Sequence, residues 1–226
     1  MTTALPVEGQ TNEVYFWHGN NYAKIRFTPS TNDDEIVFGP AKVTSHWKTF
    51  AQAGFTTVDA AVPVPGFPRQ VYFFSGTRYV RVEYKAGTSE EKIVYGPYPI
   101  TEQWPSLVKA GFDTVDAILP VPGEPNQAYF FSGNQYAKIK FEAGTKNDEV
   151  LYGPTKITSE WKTLNEAGFD KIDAAFPVPG HEGQAYFFSG SQYVKIEFVP
   201  SSSTEKILFG PKRTYEYWKT LASWGW

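Results

Sequence analysis

The chain has 226 residues, 41% hydrophobic and 20% charged, the proportions of an ordinary globular fold, with a high aromatic share of 17%. A net charge of −3 excludes a nucleic-acid binder that works by neutralising phosphates, and the lack of any cysteine excludes disulfides, thiolate metal sites and cysteine nucleophiles. No run of about 20 apolar residues occurs, so no membrane span is expected. The first residues, MTTALPVEG, have neither a basic start nor an apolar core, so the expectation is a cytoplasmic protein or one released without a classical signal peptide.

In chain order, one set of markers recurs every 57 residues. The turn glycines are Gly19, Gly76, Gly133 and Gly190; the Gly-Pro pairs begin at Gly39, Gly96, Gly153 and Gly210; the tryptophans are Trp47, Trp104, Trp161 and Trp218. Four copies of one unit (approximately 1–57, 58–114, 115–171 and 172–226) are each too small to fold alone, so one closed domain over 1–226 is expected.

The third copy shows the elements. Residues 115–119 are a short apolar strand closed by Pro-Val-Pro-Gly, and 128–131 and 136–141 are two strands joined by a turn at Gly133, a hairpin. In the second of these Tyr136, Lys138 and Lys140 alternate with Ala137, Ile139 and Phe141, giving one polar and one apolar face. A polar loop over 142–148 precedes a fourth strand at 149–152, stopped by Gly153-Pro154. Thr158 then reads as the N-cap of a single helix of two to three turns, with Trp161 and Leu164 on one side, ending at Gly168. Such a meander cannot bury itself alone, so an all-β four-bladed propeller is expected, each blade four antiparallel strands with one rim helix outside. Met1 matches Val58 by period and Trp226 matches Phe55. Each unit is therefore complete, and closure falls to side-chain packing between blades one and four.

These residues resemble the hemopexin family of four-bladed propellers over nearly the whole chain. The resemblance rests on the Asp-Ala-Ala strands (Asp59-Ala60-Ala61, Asp173-Ala174-Ala175), on the Tyr-Phe-Phe-x-Gly-x-x-Tyr-x-Lys/Arg hairpins at 72–81, 129–138 and 186–195, and on the Gly-Pro and rim helix. The cysteine-free form looks like plant seed albumins and microbial or fungal members. The resemblance implies an axial channel holding Ca²⁺ or Na⁺, and in some members chloride. Its ligands would be backbone carbonyls of Thr2, Asp59, Asp116 and Asp173, with a second ring at Ala4, Ala61, Ile118 and Ala175. Hard cations suit such oxygens. The alternative is that the Asp side chains simply bond nearby backbone and organise the strand starts. The resemblance also implies polyamine or haem binding, as in seed albumins, or protein docking.

Among other candidates, Lys24, Arg81, Lys138 and Lys195 form a ring that could attract an anion, although a solvated polar strand face is the simpler reading. The acidic stretches 33–35, 90–91 and 148–149 read as solvated turns. His18, His46 and His181 occupy unrelated positions without zinc-like spacing, which makes haem a minor reading. Trp17, Trp224, Trp226, Tyr98, Tyr215 and Tyr217 break the repeat and are candidate blade-end aromatics for stacking on sugars, with core or rim packing as the simpler reading of each. No nucleophile or phosphate-loop motif occurs. The expectation is therefore a non-catalytic binding protein, monomer or homodimer, with carbohydrate at several blade sites as the favoured ligand.

Overall fold

The computed structural model describes residues 2–224; Met1 and Trp226, matched by period above, lie outside the described residues, as does Gly225. Blade 1 comprises β1 (Thr2–Pro6), β2 (Glu13–His18), β3 (Asn21–Phe27) and β4 (Asp34–Lys42), followed by α1 (Val43–His46) and α2 (Lys48–Ala53). Blade 2 comprises β5 (Ala60–Pro63), β6 (Gln70–Ser75), β7 (Arg78–Tyr84) and β8 (Glu91–Pro99), with α3 (Ile100–Gln103) and α4 (Pro105–Ala110). Blade 3 comprises β9 (Ala117–Pro120), β10 (Gln127–Ser132), β11 (Gln135–Phe141) and β12 (Asp148–Lys156), with α5 (Ile157–Glu160) and α6 (Lys162–Glu166). Blade 4 comprises β13 (Ala174–Pro177), β14 (Gln184–Ser189), β15 (Gln192–Phe198) and β16 (Glu205–Arg213), with α7 (Thr214–Tyr217) and α8 (Lys219–Ala222). Each blade is an antiparallel meander paired in sequence order, and no blade borrows a strand from another.

Register decides what faces what. In blade 1, Tyr15 pairs with Lys24 and Trp17 with Tyr22, while Val14 pairs with Ile25 and Phe16 with Ala23. Because side chains alternate, the first set covers one face of the sheet and the second the other. The face with Val14, Phe16, Ala23, Ile25 and Phe27 packs against blade 4, around Phe176, Phe188 and Trp218. The face with Tyr15, Trp17 and Tyr22 packs against blade 2, around Phe73, Val80 and Val82. Equivalent cores join blades 2 and 3 and blades 3 and 4. The strand face read as polar is thus divided: its tyrosine is the wall of an inter-blade junction, Lys138 is half-buried and Lys140 is exposed. Fully burying one Phe or Leu there contributes about 1.5–3 kcal/mol.

The Gly-Pro pairs sit at a bulge in the outer strand, where the β11–β12 register shifts around Lys138. Gly153 has φ +84°, and a Cβ there would lie 2.7 Å from the Tyr136 carbonyl oxygen, so only glycine fits.

The rim helix differs from expectation: it is two single-turn segments broken at the tryptophan. The first begins at Ile157 straight out of β12, with Ile157 N–H donating to the Asn134 carbonyl, so Thr158 lies inside it and no side chain caps it. Trp161 then leaves the helical region (φ −91°, ψ 89°) to insert its ring into the core.

The second segments are capped from the next blade. Asp148 accepts from the Ser106 backbone N–H at 2.9 Å and from its hydroxyl. Glu91 accepts from Lys48 N–H and the Thr49 hydroxyl, and Glu205 from Lys162 N–H and the Thr163 hydroxyl. Asp34 accepts from Thr220 N–H at 2.8 Å and from its hydroxyl, which links blade 1 to blade 4. One carboxylate of each acidic stretch, extending the series to Glu205 in blade 4, is therefore an inter-blade cap. No helix among the described residues is long and apolar enough to cross a membrane.

Candidate functional site

Cavities open at the junctions between blades: about 380 Å³ between blades 1 and 2, 470 Å³ between blades 3 and 4, and 320 Å³ between blades 4 and 1. These volumes lie in the range of small-molecule sites. The recipe repeats. Two tyrosines from β2 and β3 (Tyr15 and Tyr22, or their equivalents Tyr129 and Tyr136, Tyr186 and Tyr193) form the floor with a third-strand lysine (Lys24, Lys138, Lys195). The rim tryptophan closes the back, and an outer-strand aromatic (Phe38, Tyr152 or Phe209) forms a half-exposed wall. The loop between the last two strands of the next blade supplies hydroxyls, with Ser201, Ser202, Ser203 and Thr204 in a row at the blade 3/4 junction.

The tyrosines are held as neutral phenols. Burial, followed by the charge of Glu13, pushes Tyr15 up to about 12, although the Gly87 backbone hydrogen-bonds its hydroxyl. Burial also raises Tyr22, Tyr136 and Tyr193 well above the ordinary phenol value. The wall rings lie tilted beside them, with centroids 5.6 Å apart for Tyr22 and Phe38, 6.2 Å for Tyr136 and Tyr152, and 6.0 Å for Tyr193 and Phe209.

The blade 2/3 junction is filled from within. Arg81, 5% exposed, donates from Nε to Gln70 at 2.7 Å and lies 4.4 Å over the Phe67 ring. Its guanidinium would come within 3.3 Å of a Cβ at position 144, where the chain has glycine. Of the four cations read as a solvated strand face, Lys24, Lys138 and Lys195 therefore line inter-blade pockets, and Arg81 is buried in the blade 2/3 junction.

At the axis, β1, β5, β9 and β13 pack against one another in a closed cycle, and each is paired on one edge only. Val7, Val64, Val121 and Val178 donate their N–H to Glu13, Gln70, Gln127 and Gln184, which turns them toward the second strand. By alternation, the N–H and C=O of Ala4, Ala61, Ile118 and Ala175 turn to the free inner edge. The Asp side chains are otherwise engaged: Asp59, Asp116 and Asp173 accept from Gly76, Gly133 and Gly190 N–H at 2.6, 2.7 and 2.6 Å, bracing the hairpin turns. Burial holds the Asp59 carboxyl above the usual range. No group of three or more His, Cys, Asp or Glu side chains gathers as a metal cluster among the described residues.

The remaining candidates scatter. His46 lies 5.0 Å from the Phe38 ring in the blade 1/2 cavity, His181 bonds the Pro179 carbonyl, and half-buried His18 packs by Trp224. Trp17 is fully buried in the core and Trp224 packs against the blade 4/1 core. Tyr98 and Tyr215 are exposed, and Tyr217 lines the blade 4/1 cavity. The pockets were missed in sequence because their parts come from two adjacent copies, each part having a bland local reading. The signal that could have found them was the recurrence of Tyr, Tyr, Lys/Arg and Trp at fixed offsets.

The architecture is that of a four-bladed propeller of hemopexin type. No protein-family model matches the chain. It is similar to "Albumin-2" of Pisum sativum, 26% identical over 214 residues, covering 94% of this chain and 90% of that protein. Among solved structures it resembles a 2S albumin seed protein from Dolichos, with TM-score 0.88, 27% identity and coverage of 98% and 97% of the two chains. A plant lectin with two metal binding sites from Cicer arietinum has the same fold, with TM-score 0.87, 24% identity and coverage of 99% and 97%.

Proposed function

We propose that this chain is a non-catalytic, multivalent carbohydrate-binding protein whose sugars enter the inter-blade pockets. The observation that carries this reading is the recurrence, at three junctions of one rigid ring, of a half-exposed aromatic wall facing a hydroxyl-rich loop. The C–H face of a pyranose packs on such a ring, while its hydroxyls find phenol, serine and backbone partners. Three linked weak sites gain avidity on a multivalent glycan. The lectin of the same fold supports the reading.

The axial ion belongs to the same proposal. The inward-turned backbone at Ala4, Ala61, Ile118 and Ala175 suits a hard cation such as Ca²⁺ or Na⁺, with the carbonyls of Thr2, Asp59, Asp116 and Asp173 as an outer ring. Such an ion would tie the four inner strands together. A polyamine is a poor occupant of pockets that each hold a lysine. Its place would be beside the buried carboxylate of Asp59 near the axis, where Lys171 already approaches Asp116 and Asp173 at 3.9 and 3.7 Å. That second reading is the seed-albumin one.

The test is a glycan-array screen with and without calcium and at high salt, comparing wild type with a triple variant Phe38→Ala, Tyr152→Ala, Phe209→Ala. These walls are exposed enough for the fold to tolerate their loss. Sugar-competable binding that the triple variant loses is expected. A blank array, or binding indifferent to the triple variant, refutes the reading and moves spermine titration forward.

A further inference from the structure

Three positions change together across the junctions. In blade 1 the Lys24 amine pairs with the Glu13 carboxylate at 2.9 Å, and the loop opposite carries Gly87. In blade 2 the cation is Arg81, held by Gln70, opposite Gly144. In blades 3 and 4 the position of Glu13 is taken by Gln127 and Gln184, and among the described residues Lys138 and Lys195 form no ion pair. There the loop residue is serine. The Lys138 amine donates to Ser201 Oγ at 2.8 Å, and the Lys195 amine to Ser30 Oγ at 2.6 Å. Ser201 and Ser30 hold φ +61° and +67°, the left-handed conformation that Gly87 and Gly144 adopt at their equivalents. A non-glycine residue there costs about 1–2 kcal/mol.

A lysine 9% exposed, as Lys195 is, is costly without a counter-charge. One serine hydroxyl engages one of its three N–H donors and neutralises nothing. The acids lining these pockets form no ion pair with the amines: Asp34 and Glu205 are engaged in capping the second rim helices, Glu160 accepts from the Tyr152 hydroxyl, and Asp33 is an exposed loop residue. An anion small enough to reach the amine, on a body that fits beside tyrosine rings, would complement both near-buried Lys195 and half-buried Lys138.

We propose that these two pockets are selective for a ring ligand bearing a carboxylate, an acidic saccharide of the uronic-acid type, whose carboxylate bonds Lys138 and Ser201 or Lys195 and Ser30. The blade 1/2 pocket, neutralised internally by Glu13, takes only the uncharged counterpart. This deepens the carbohydrate reading and rests on it for the saccharide body alone.

The test is calorimetric titration of the intact chain with glucuronate, its neutral methyl ester, glucose and benzoate. Glucuronate is expected to occupy two sites per chain, at least tenfold tighter than the ester. Lys138→Met and Lys195→Met each remove one site and the double variant both, with folding checked by circular dichroism. Glu13→Gln, which leaves Lys24 unneutralised, is expected to add a third. If glucose and the ester bind as well as glucuronate, the carbohydrate reading stands and this inference falls. If benzoate binds at two lysine-dependent sites while every sugar fails, carboxylate recognition stands and the carbohydrate reading falls. If none binds, or if glucuronate binding ignores the double variant, the inference is overturned.

Discussion

Replacing Asp34 with alanine removes a junction that no covalent link backs up. Blades 1 and 2, 2 and 3, and 3 and 4 are consecutive in the chain, but blades 4 and 1 meet through packing, the Lys195–Ser30 hydrogen bond and Asp34. Its carboxylate holds Thr220 N–H at 2.8 Å, Lys219 N–H at 3.3 Å and the Thr220 hydroxyl. Loss of an N-cap costs about 0.5–2 kcal/mol. The hydroxyl bond adds little, since Thr220 is half-exposed and can turn to water. The sum is roughly 2 kcal/mol, a Tm drop of about 4–8 °C for a chain of this length. Because the ring opens only at this junction, protection of backbone amides in β1 and β13 from hydrogen exchange should fall further than that of β5 and β9. The assay is thermal melting by circular dichroism with native-state hydrogen exchange. Asp33→Ala is the control, an exposed neighbouring acid whose loss should stay within about 0.5 kcal/mol. If Asp34→Ala melts like Asp33→Ala and leaves β1 and β13 protected, the cap does not close the ring.

The other perturbations probe the pocket floors and the bulges. Burial works against the Glu13 carboxylate, but the hydrogen bonds from Lys24 and Arg26 outweigh it and hold its pKa below the usual value. Its contribution is present above the unfolded value of about 4.3 and lost as pH falls through the folded one. The stability gap between wild type and Glu13→Gln in urea should therefore narrow below about pH 4. Tyr15 has the opposite sign: raised to about 12, its neutral form stabilises the fold below the unfolded value and is lost as pH rises toward 12. Alkaline unfolding should then coincide with ionisation of the buried phenols, read by ultraviolet absorbance. Gly153→Ala should cost at least about 2 kcal/mol in urea melts, because a Cβ meets the Tyr136 carbonyl oxygen and φ is left-handed. Trp161→Ala, removing a ring that packs with Tyr129, Tyr136 and Phe187, should cost about 3–5 kcal/mol.

The fold was legible because every element carries its signal within one copy. The turn glycines, the bulge glycines at 39, 96, 153 and 210, and the rim tryptophans each answer to a local constraint, so a 57-residue period exposes them without partners. The rim helix was misread for the same reason. Lys162 to Glu166 has no cap in its own copy, since the carboxylate that serves it is Glu205, 43 residues away in the next blade. Lys138 shows the limit at its sharpest. Its alternation with Ala137 and Ile139 does report a sheet face, but period-two patterning is silent on whether water or another blade covers that face.

Within one chain, the four copies amount to an internal comparison that a single-copy protein lacks. Positions that only support the blade keep one residue type, as Trp47, Trp104, Trp161 and Trp218 do. Among the positions that diverge, three at the inter-blade junctions do so in matched sets: Glu13 with Lys24 and Gly87, Gln70 with Arg81 and Gly144, Gln184 with Lys195 and Ser30. A lysine kept near burial without an acid, opposite a serine held where glycine is easier, is a local conflict between stability and something else. The same chain shows the relaxed solution at Glu13 and the filled one at Arg81. The exception at blades 3 and 4 is the feature that the proposed carboxylate ligand would account for.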